Sequence, residues 1–375
     1  MERYEYIHGG NIYGENGRAD QKLIDFSTNI NPLGMPENVI SAAKQAIEHA
    51  VIYPDSACRR LTHELAKFES VGEKSVLCAG GASDIIFRAV YAVKPKKILV
   101  TAPSFADYER AGRAAGAEII FYPLNKESGF AITQNIVTAI FEVLPDMVFI
   151  CNPNNPTGIL TDIDTIGEIA KACRSINSVL IVDECFLDFV PDSQKYSARE
   201  LLNEYHNVMV VKAFTKIFAM PGLRLGYVIC DNEMLLDRMR FCGADWPVSN
   251  VAQAAGLAAL TNGRDYIRRS VKYIRLERER MMDELSRMGF VTYESCANFI
   301  FFYCDWNVDL NNMLYNSGIL IRDCRNFAGL EPGYYRIAVS TSEKNTQLIK
   351  TMRGEKFFWQ RQSCFRVLCR RWVKA

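Results

Sequence analysis

Six short apolar runs decide most of what this chain can fold into: KKILVTAP at 96–103, AEIIFYPL at 117–124, DMVFICNP at 146–153, SVLIVDE at 178–184, NVMVVKAF at 207–214 and LGYVIC at 225–230. Each is close to a continuous stretch of Val, Ile and Leu, and helical segments join them. Strands of this kind are buried on both faces, so the expected architecture is α/β, a mostly parallel sheet covered by helices. Ligands of such sheets sit at the carboxyl ends of the strands. Phe105 follows the first run, Asn155 the third, Asp183 ends the fourth and Lys216 follows the fifth. Residues 256–295 carry a long helical pattern and residues 296–352 return to strand and helix, which predicts a smaller α+β domain beside the large one, with residues 1–34 near it. No repeat or low-complexity linker interrupts the pattern.

Composition narrows the class. With 375 residues, 49% hydrophobic and 23% charged, the chain is long enough for one large domain and a smaller companion. Its net charge of +1 offers no dominant basic face for nucleic acid. The charge is nevertheless uneven: residues 353–375 hold seven Lys/Arg and one acid, so this tail is +6 and residues 1–352 are −5. Phe365, Leu368, Cys369 and Trp372 of the tail fall on one helical face opposite arginines, a pattern that suits a membrane surface, a partner protein or docking on the acidic body. Twelve cysteines without a CxxC pair, and four histidines at 8, 49, 63 and 206, speak for reduced thiols and against a Cys/His metal site. Cys78, Cys151, Cys185 and Cys230 lie in or beside apolar runs, where a thiol acts as a small hydrophobe. No apolar run reaches the ~20 residues of a membrane span, and MERYEYIHGG lacks a signal-peptide core, so the expected location is the cytoplasm.

The chemistry is concentrated in KAFTKIFAMPGLRLGY at 212–227. A pocket that combines Lys216 with Arg224 suits pyridoxal phosphate, with the lysine carrying the aldehyde and the arginine the phosphate. A lysine and an arginine near a Pro-Gly turn are more often a solvated pair, so other parts of the site have to support the reading. GGASD at 80–84, directly ahead of the helical IIFRAVYAV, provides a helix N-terminus with glycine-opened N–H groups, capped by Ser83 or Asp84; its plain alternative is an ordinary N-cap. Asp183, at the end of a strongly apolar strand, is desolvated unless it meets a cation or a proton donor, which a protonated pyridine nitrogen supplies; its plain alternative is an aspartate capping the next turn. Asn155 of NPNNPTG can donate to a ring oxygen or serve turn chemistry; Phe105 can stack on the ring or pack in the core. HGGN at 8–11 and IDFSTNINPLG at 24–34 form either a loop closing over the site or a frayed leader. A helix is expected over 36–50, with Val39, Ile40, Ala43, Ile47 and Ala50 near one face, ending at the turn Tyr53-Pro54-Asp55 ahead of a helix from Leu61 to Phe68. Arg322, Arg325 and Arg336 are candidates for a second anion site, since the planar guanidinium suits carboxylate or phosphate; Arg325 is expected to be a solvated surface charge.

Together NPNNPTG at 152–158, DECFLDF at 183–189 and TKIFAMPGLRLGY at 215–227 resemble the fold-type I pyridoxal-phosphate enzymes of the class I/II aminotransferase family, and the resemblance covers nearly all of residues 7–352. It implies a mixed, mostly parallel seven-stranded sheet in the large domain. Lys216 is then the Schiff-base lysine, Asp183 the partner of the pyridine nitrogen, Asn155 the 3-oxygen donor and Phe105 the stacking ring. Gly81, Ala82, Ser83, Thr215 and Arg224 form the phosphate cup, and Tyr53 reaches the phosphate of a neighbouring subunit, which implies a homodimer with shared sites. Two positions depart from the family pattern. Ala213 stands where serine or threonine is usual, removing a phosphate hydrogen bond of ~1–3 kcal/mol, and Phe186 replaces a tyrosine that bonds the 3-oxygen in many aminotransferases.

Within the family, HGGN, DFSTNINPLGMP, YPD, PGLRLGY and ILIRDCRNFAGL look more like the L-threonine-O-3-phosphate decarboxylases of cobalamin biosynthesis than like the histidinol-phosphate aminotransferases. That likeness implies decarboxylation of L-threonine O-3-phosphate to (R)-1-amino-2-propanol O-2-phosphate, with Arg336 on the substrate carboxylate and Arg322, His8 and Asn31 on its phosphate, or the two anions exchanged. The alternatives are a histidinol-phosphate or related aminotransferase, a phosphoserine decarboxylase giving ethanolamine phosphate, and a non-catalytic binding protein whose tail recruits a partner. The expected domains are 1–44 as an N-terminal arm and part of the small domain, 45–255 as the large cofactor domain, 256–352 as the small C-terminal domain and 353–375 as a basic amphipathic extension.

Overall fold

A computed structural model describes residues 8–354 apart from 15, 16, 21, 306 and 307. The amphipathic pattern read into Phe365, Leu368, Cys369 and Trp372 lies outside the described residues. In chain order the strands are β1 (Ile24–Asp25), β2 (Val76–Ala79), β3 (Lys97–Ala102), β4 (Glu118–Pro123), β5 (Met147–Cys151), β6 (Val179–Asp183), β7 (Val208–Ala213), β8 (Gly226–Ile229), β9 (Val291–Thr292), β10 (Phe299–Tyr303), β11 (Ile319–Leu320), β12 (Arg322–Asp323) and β13 (Tyr334–Ala338). All six apolar runs are strands, each shorter than its run by a residue or more at the ends.

The large sheet has seven strands in the order β2-β8-β7-β6-β5-β3-β4. Only β8 runs antiparallel to its neighbours. It reverses because the chain leaves β7 through Phe214–Ile217 and the turn Pro221–Leu223, too short a path for a parallel crossover. Two readings need correction. β2, four residues long, was not among the expected runs, and β4 is a half-exposed edge strand rather than one buried on both faces. Along the inner strands side chains alternate between two cores. Val148, Ile150, Leu180, Val182, Val208 and Val210 face one side, and Met147, Phe149, Ile181, Met209 and Val211 face the other. Helices α1 (Glu37–Ala46) and α2 (Arg59–Glu69) follow the leader. Helices α3 (Ala82–Val93) and α4 (Ala106–Ala114) follow β2 and β3. No helix among the described residues is long and apolar enough to cross a membrane.

A four-stranded antiparallel sheet, β12-β13-β10-β9, stands beside the 25-residue helix Gly263–Arg287. YYRIA of β13 reads as an alternating strand, yet all five residues are buried. The leader is stitched to this region: β1 pairs in parallel with β11, Phe26 N–H donates to Leu320 O at 2.8 Å, and Ala338 N–H donates to Phe26 O at 2.8 Å. This places Ser27 to Asn31 against the carboxyl ends of the large sheet.

Behind those ends lies a buried ionic cluster. Lys212 Nζ of β7 sits 3.0 Å from Glu69 Oε1 and 2.9 Å from Asp188 Oδ1, Arg199 Nη1 lies 3.0 Å from Glu69 Oε2, and Tyr227 OH donates to Glu69. Burial opposes the charge on Lys212, but the carboxylates of Asp188 and Glu69 outweigh it and raise the pKa of the amine. Removing one partner strands the others in a low dielectric. Lys212→Met is therefore expected to cost ~3–5 kcal/mol in urea unfolding, while Lys74→Met, which breaks the exposed pair with Glu233, stays within ~1 kcal/mol. Equal small losses in both variants would show that the cluster adds nothing to stability.

Candidate active site

The register of the sheet brings the expected residues together. Cys151 of β5 lies opposite Asp183 of β6, which lies opposite Val211 of β7, so the ends of these strands open onto one cavity. Lys216, Asp183, Asn155, Phe105, Ala82, Ser83, Thr215, Arg224, His8, Arg322 and Arg336 all line it.

Lys216 stands in the single helical turn after β7. Asn31 holds that turn: its N–H donates to Lys216 O at 3.2 Å, and its Nδ2 donates to Ile217 O and Ser270 Oγ, both at 2.7 Å. Burial, with Arg336 and Arg224 adding like charge, lowers the Lys216 pKa to about 8. Its Nζ lies 6.0 Å from the centre of the Phe186 ring.

Asp183 is buried, and among the described residues no cation lies within ion-pair distance of it. Tyr108 OH donates to its Oδ2 at 2.7 Å and Cys185 N–H to its Oδ1 at 3.0 Å. Burial pushes its carboxyl upward, and these hydrogen bonds only partly offset that. Tyr108 is itself stacked on Phe149 at 4.7 Å and meets the edge of Phe105 at 5.6 Å.

The GGASD turn opens α3 with Gly81 at φ +99°, where a Cβ would stand 2.9 Å from Arg224 Nη2. The expected side-chain cap is absent. Ser83 Oγ donates to Asp107 Oδ2 at 2.6 Å, and Asp84 accepts from Gly80 N–H at 2.9 Å and from Arg88 Nε at 2.8 Å. Both side chains are engaged elsewhere, so the first turn of α3 keeps backbone donors for an anion beside Arg224.

At the other end Arg336 is buried between Asn155 Oδ1 and Ser27 O, the latter accepting from Nη2 at 2.7 Å. Among the described residues its Nε has no partner. Burial, reinforced by the neighbouring Arg322, lowers its pKa to about 10. Arg322 lies opposite it in register, donates to Asn326 Oδ1 at 2.7 Å and stacks over Phe327 at 4.8 Å. His8 Nε2 lies 3.2 Å from Asp107 Oδ1, its ring 5.6 Å from that of Phe105. Gly9 is required here because a Cβ would run into the Ser27 carbonyl.

Asn31 does not reach the cavity, contrary to expectation, because its amide is spent on the Lys216 turn. Asn29 takes that place: it is buried, lines the cavity and leaves Oδ1 without a partner. Both belong to STNINP and carry the same side chain two residues apart, so the sequence had no means of choosing between them. Tyr53 stands outside this chain's own cavity, 77% exposed and stacked on Trp246 at 4.3 Å. Arg325 is a surface charge, paired with Asp323 and Asp309. Tyr108 and Asp107 went unrecognised; a polar residue on the buried face of a short helix was the available signal.

A family model described as aminotransferase class I and II matches residues 21–352. The chain belongs to that family. It is 34% identical over 359 residues to the threonine-phosphate decarboxylase of Salmonella typhimurium, spanning 94% of this chain and 98% of that protein. To the histidinol-phosphate aminotransferase of Caldanaerobacter subterraneus subsp. tengcongensis it is 32% identical over 330 residues, 87% of this chain and 91% of that protein. The solved histidinol-phosphate aminotransferase of Clostridium acetobutylicum matches the fold with a TM-score of 0.83 at 30% identity, covering 89% of this chain and 99% of that one. The family depends on pyridoxal phosphate, and the residues present fit that group: a buried carboxylate without a cation, an amine of lowered pKa and a helix N-terminus with open donors beside an arginine.

The lowered pKa of Lys216 can be read in the apoprotein. Competitive acetylation followed by peptide mass analysis is expected to show Lys216 reaching half-maximal reactivity near pH 8, against ~10.4 for an ordinary lysine. A midpoint at the ordinary value would mean that the cavity is wetter and less positive than its geometry says.

Proposed function

We propose that this chain is a cytoplasmic, homodimeric pyridoxal-phosphate decarboxylase acting on L-threonine O-3-phosphate. The observation that carries the reading is a buried Arg336 without a carboxylate partner among the described residues, in register with Arg322 and sharing a cavity with His8 and Asn29. A buried cation calls for an anion. Cations at two places beyond the cofactor cup suit a substrate with two anions, as an amino acid phosphate has. The name of the Salmonella typhimurium relative agrees with this.

In this reading Lys216 holds the cofactor's aldehyde carbon, Asp183 its pyridine nitrogen, Asn155 its 3-oxygen and Phe105 its ring face. Arg224, Thr215 and the Gly81-Ala82-Ser83 turn hold its phosphate. When bound, the cofactor supplies an electron sink for the bond broken at the substrate α-carbon. Which α-carbon bond would be aligned with that sink depends on how the chain's own residues orient the substrate, and this would decide between loss of carbon dioxide and loss of a proton. Arg336 sets that orientation by taking the carboxylate, with Ser27 O and Asn155 Oδ1 fixing the guanidinium, while Arg322, His8 and Asn29 take the phosphate. As carbon dioxide leaves, the α-carbon would need a proton, and in this reading Lys216 Nζ supplies it. Phe186, with no hydroxyl for the 3-oxygen, departs from the transaminating pattern.

Residues 45–255 serve as the cofactor domain and 256–352 as the small domain, joined by the 1–44 arm through β1 and β11; the 353–375 extension takes no part in the reaction. Dimerisation is supported by an apolar surface around Tyr53 that includes Val51, 91% exposed, with Ile52 and Trp246, and it would bring Tyr53 to the phosphate of the other subunit.

Incubating the cofactor-loaded protein with L-threonine O-3-phosphate and no keto acid is expected to release carbon dioxide and the amino alcohol phosphate steadily, and Lys216→Ala is expected to abolish both. The absence of carbon dioxide, with glutamate formed from histidinol phosphate and 2-oxoglutarate, would make the enzyme a transaminase. O-phosphoserine differs by one methyl group, which a pocket distinguishes by only ~1–3 kcal/mol, and it is expected to react more slowly.

A further inference from the structure

Asp107 is a buried carboxylate whose two oxygens serve two different parts of the site. Oδ2 accepts from Ser83 Oγ at 2.6 Å, in the first turn of α3 where the cofactor phosphate is proposed to sit. Oδ1 lies 3.2 Å from His8 Nε2 and accepts from Arg110 Nη1 at 3.0 Å. It also stands two residues after Phe105, in the opening turn of α4. Burial would push its carboxyl up, but the hydrogen bonds from His8 and Ser83, with the charge of Arg110, hold it below the usual range.

An acid between two anion sites is unfavourable unless it does something for the donors around it. Here it meets an imidazole, a hydroxyl and a guanidinium. Asp107 Oδ1 at 3.2 Å and Arg110 Nη1 at 3.4 Å both meet His8 Nε2, which fixes the ring plane and leaves the second ring nitrogen for the substrate. Accepting the hydrogen bond from the Ser83 hydroxyl fixes the first turn of α3, whose backbone N–H groups are the donors for the cofactor phosphate.

We propose that Asp107 is a positioning residue that orders both anion sites at once, holding His8 for the substrate phosphate and Ser83 for the cofactor phosphate. The proposal rests on the functional reading above for its substrate half, whereas its cofactor half depends only on family membership. Asp107 itself touches neither reacting bond, so it acts on binding and leaves the chemical step alone.

The test is a pair of double-mutant cycles on the holoenzyme. Asp107→Asn is expected to raise KM for L-threonine O-3-phosphate about tenfold or more, to leave kcat within about threefold, and to weaken pyridoxal phosphate binding, followed by protein fluorescence, by a similar factor. In a His8→Ala background Asp107→Asn no longer changes KM but still weakens the cofactor. In a Ser83→Ala background it no longer weakens the cofactor but still raises KM. Should Asp107→Asn fail to fold, Asp107→Glu, which keeps the charge and displaces the carboxylate, is carried through the same cycles. Should the wild type turn over only histidinol phosphate, that substrate is used for KM; the decarboxylase reading then fails while Asp107 is still tested. Additive effects in both backgrounds, a fall in kcat alone, or unchanged KM and cofactor affinity would overturn the proposal.

Discussion

The site depends on a guanidinium held where charge is costly. Arg336 is buried in β13 with no carboxylate partner among the described residues, and what keeps it there is backbone and amide: Ser27 O from the leader and Asn155 Oδ1 from the loop after β5. Three separate parts of the chain must therefore meet before the arginine is satisfied. The pairing of β1 with β11 brings in the leader, the antiparallel β10-β13 pair brings in the arginine, and the parallel sheet brings in the asparagine. Desolvation makes the interaction with an incoming anion stronger than it would be in water.

The rest of the cavity follows a complementary electrostatic plan. Positive charge gathers around Lys216, Arg224 and Arg336, and the mutual repulsion helps to keep the lysine reactive near neutral pH. Of the carboxylates that line the cavity, Asp107 is held by His8, Ser83 and Arg110, whereas Asp183 stands at the inner end, oriented by Tyr108 and Cys185 N–H. A bound group that is cationic at one end and anionic at the other fits that polarity, and a substrate with two further anions fits the remainder. The cluster of Lys212, Glu69, Asp188 and Arg199 lies behind this arrangement, tying β7 to α2 and to the segment after β6.

Much of this was legible because the strongest signals are local. Continuous Val/Ile/Leu runs located the inner strands, and the residues that follow them, Phe105, Asn155, Asp183 and Lys216, do share a cavity. The seven-stranded sheet and the family came from motifs such as NPNNPTG and TKIFAMPGLRLGY, and both are confirmed. What stayed hidden depends on tertiary direction. Asn29 and Asn31 are two residues apart with the same chemistry, and only the packing of the leader on the Lys216 turn and Ser270 assigns one to the cavity and the other to support. Ser83 and Asp84 both read as caps of α3, yet Asp107 of α4 claims Ser83 from outside the local sequence, and Asp84 turns to Gly80 N–H and to Arg88 one turn further along its own helix. The reversal of β8 is equally invisible to periodicity, which reports burial but not strand direction.

The most direct measurement is a crystal structure of the cofactor-loaded Lys216→Ala protein with L-threonine O-3-phosphate bound. The account predicts the carboxylate within hydrogen-bond distance of the Arg336 guanidinium, and the phosphate held among Arg322, His8 and Asn29. A phosphate on Arg336, or a carboxylate facing solvent, would contradict it and remove the orientation from which loss of carbon dioxide was inferred.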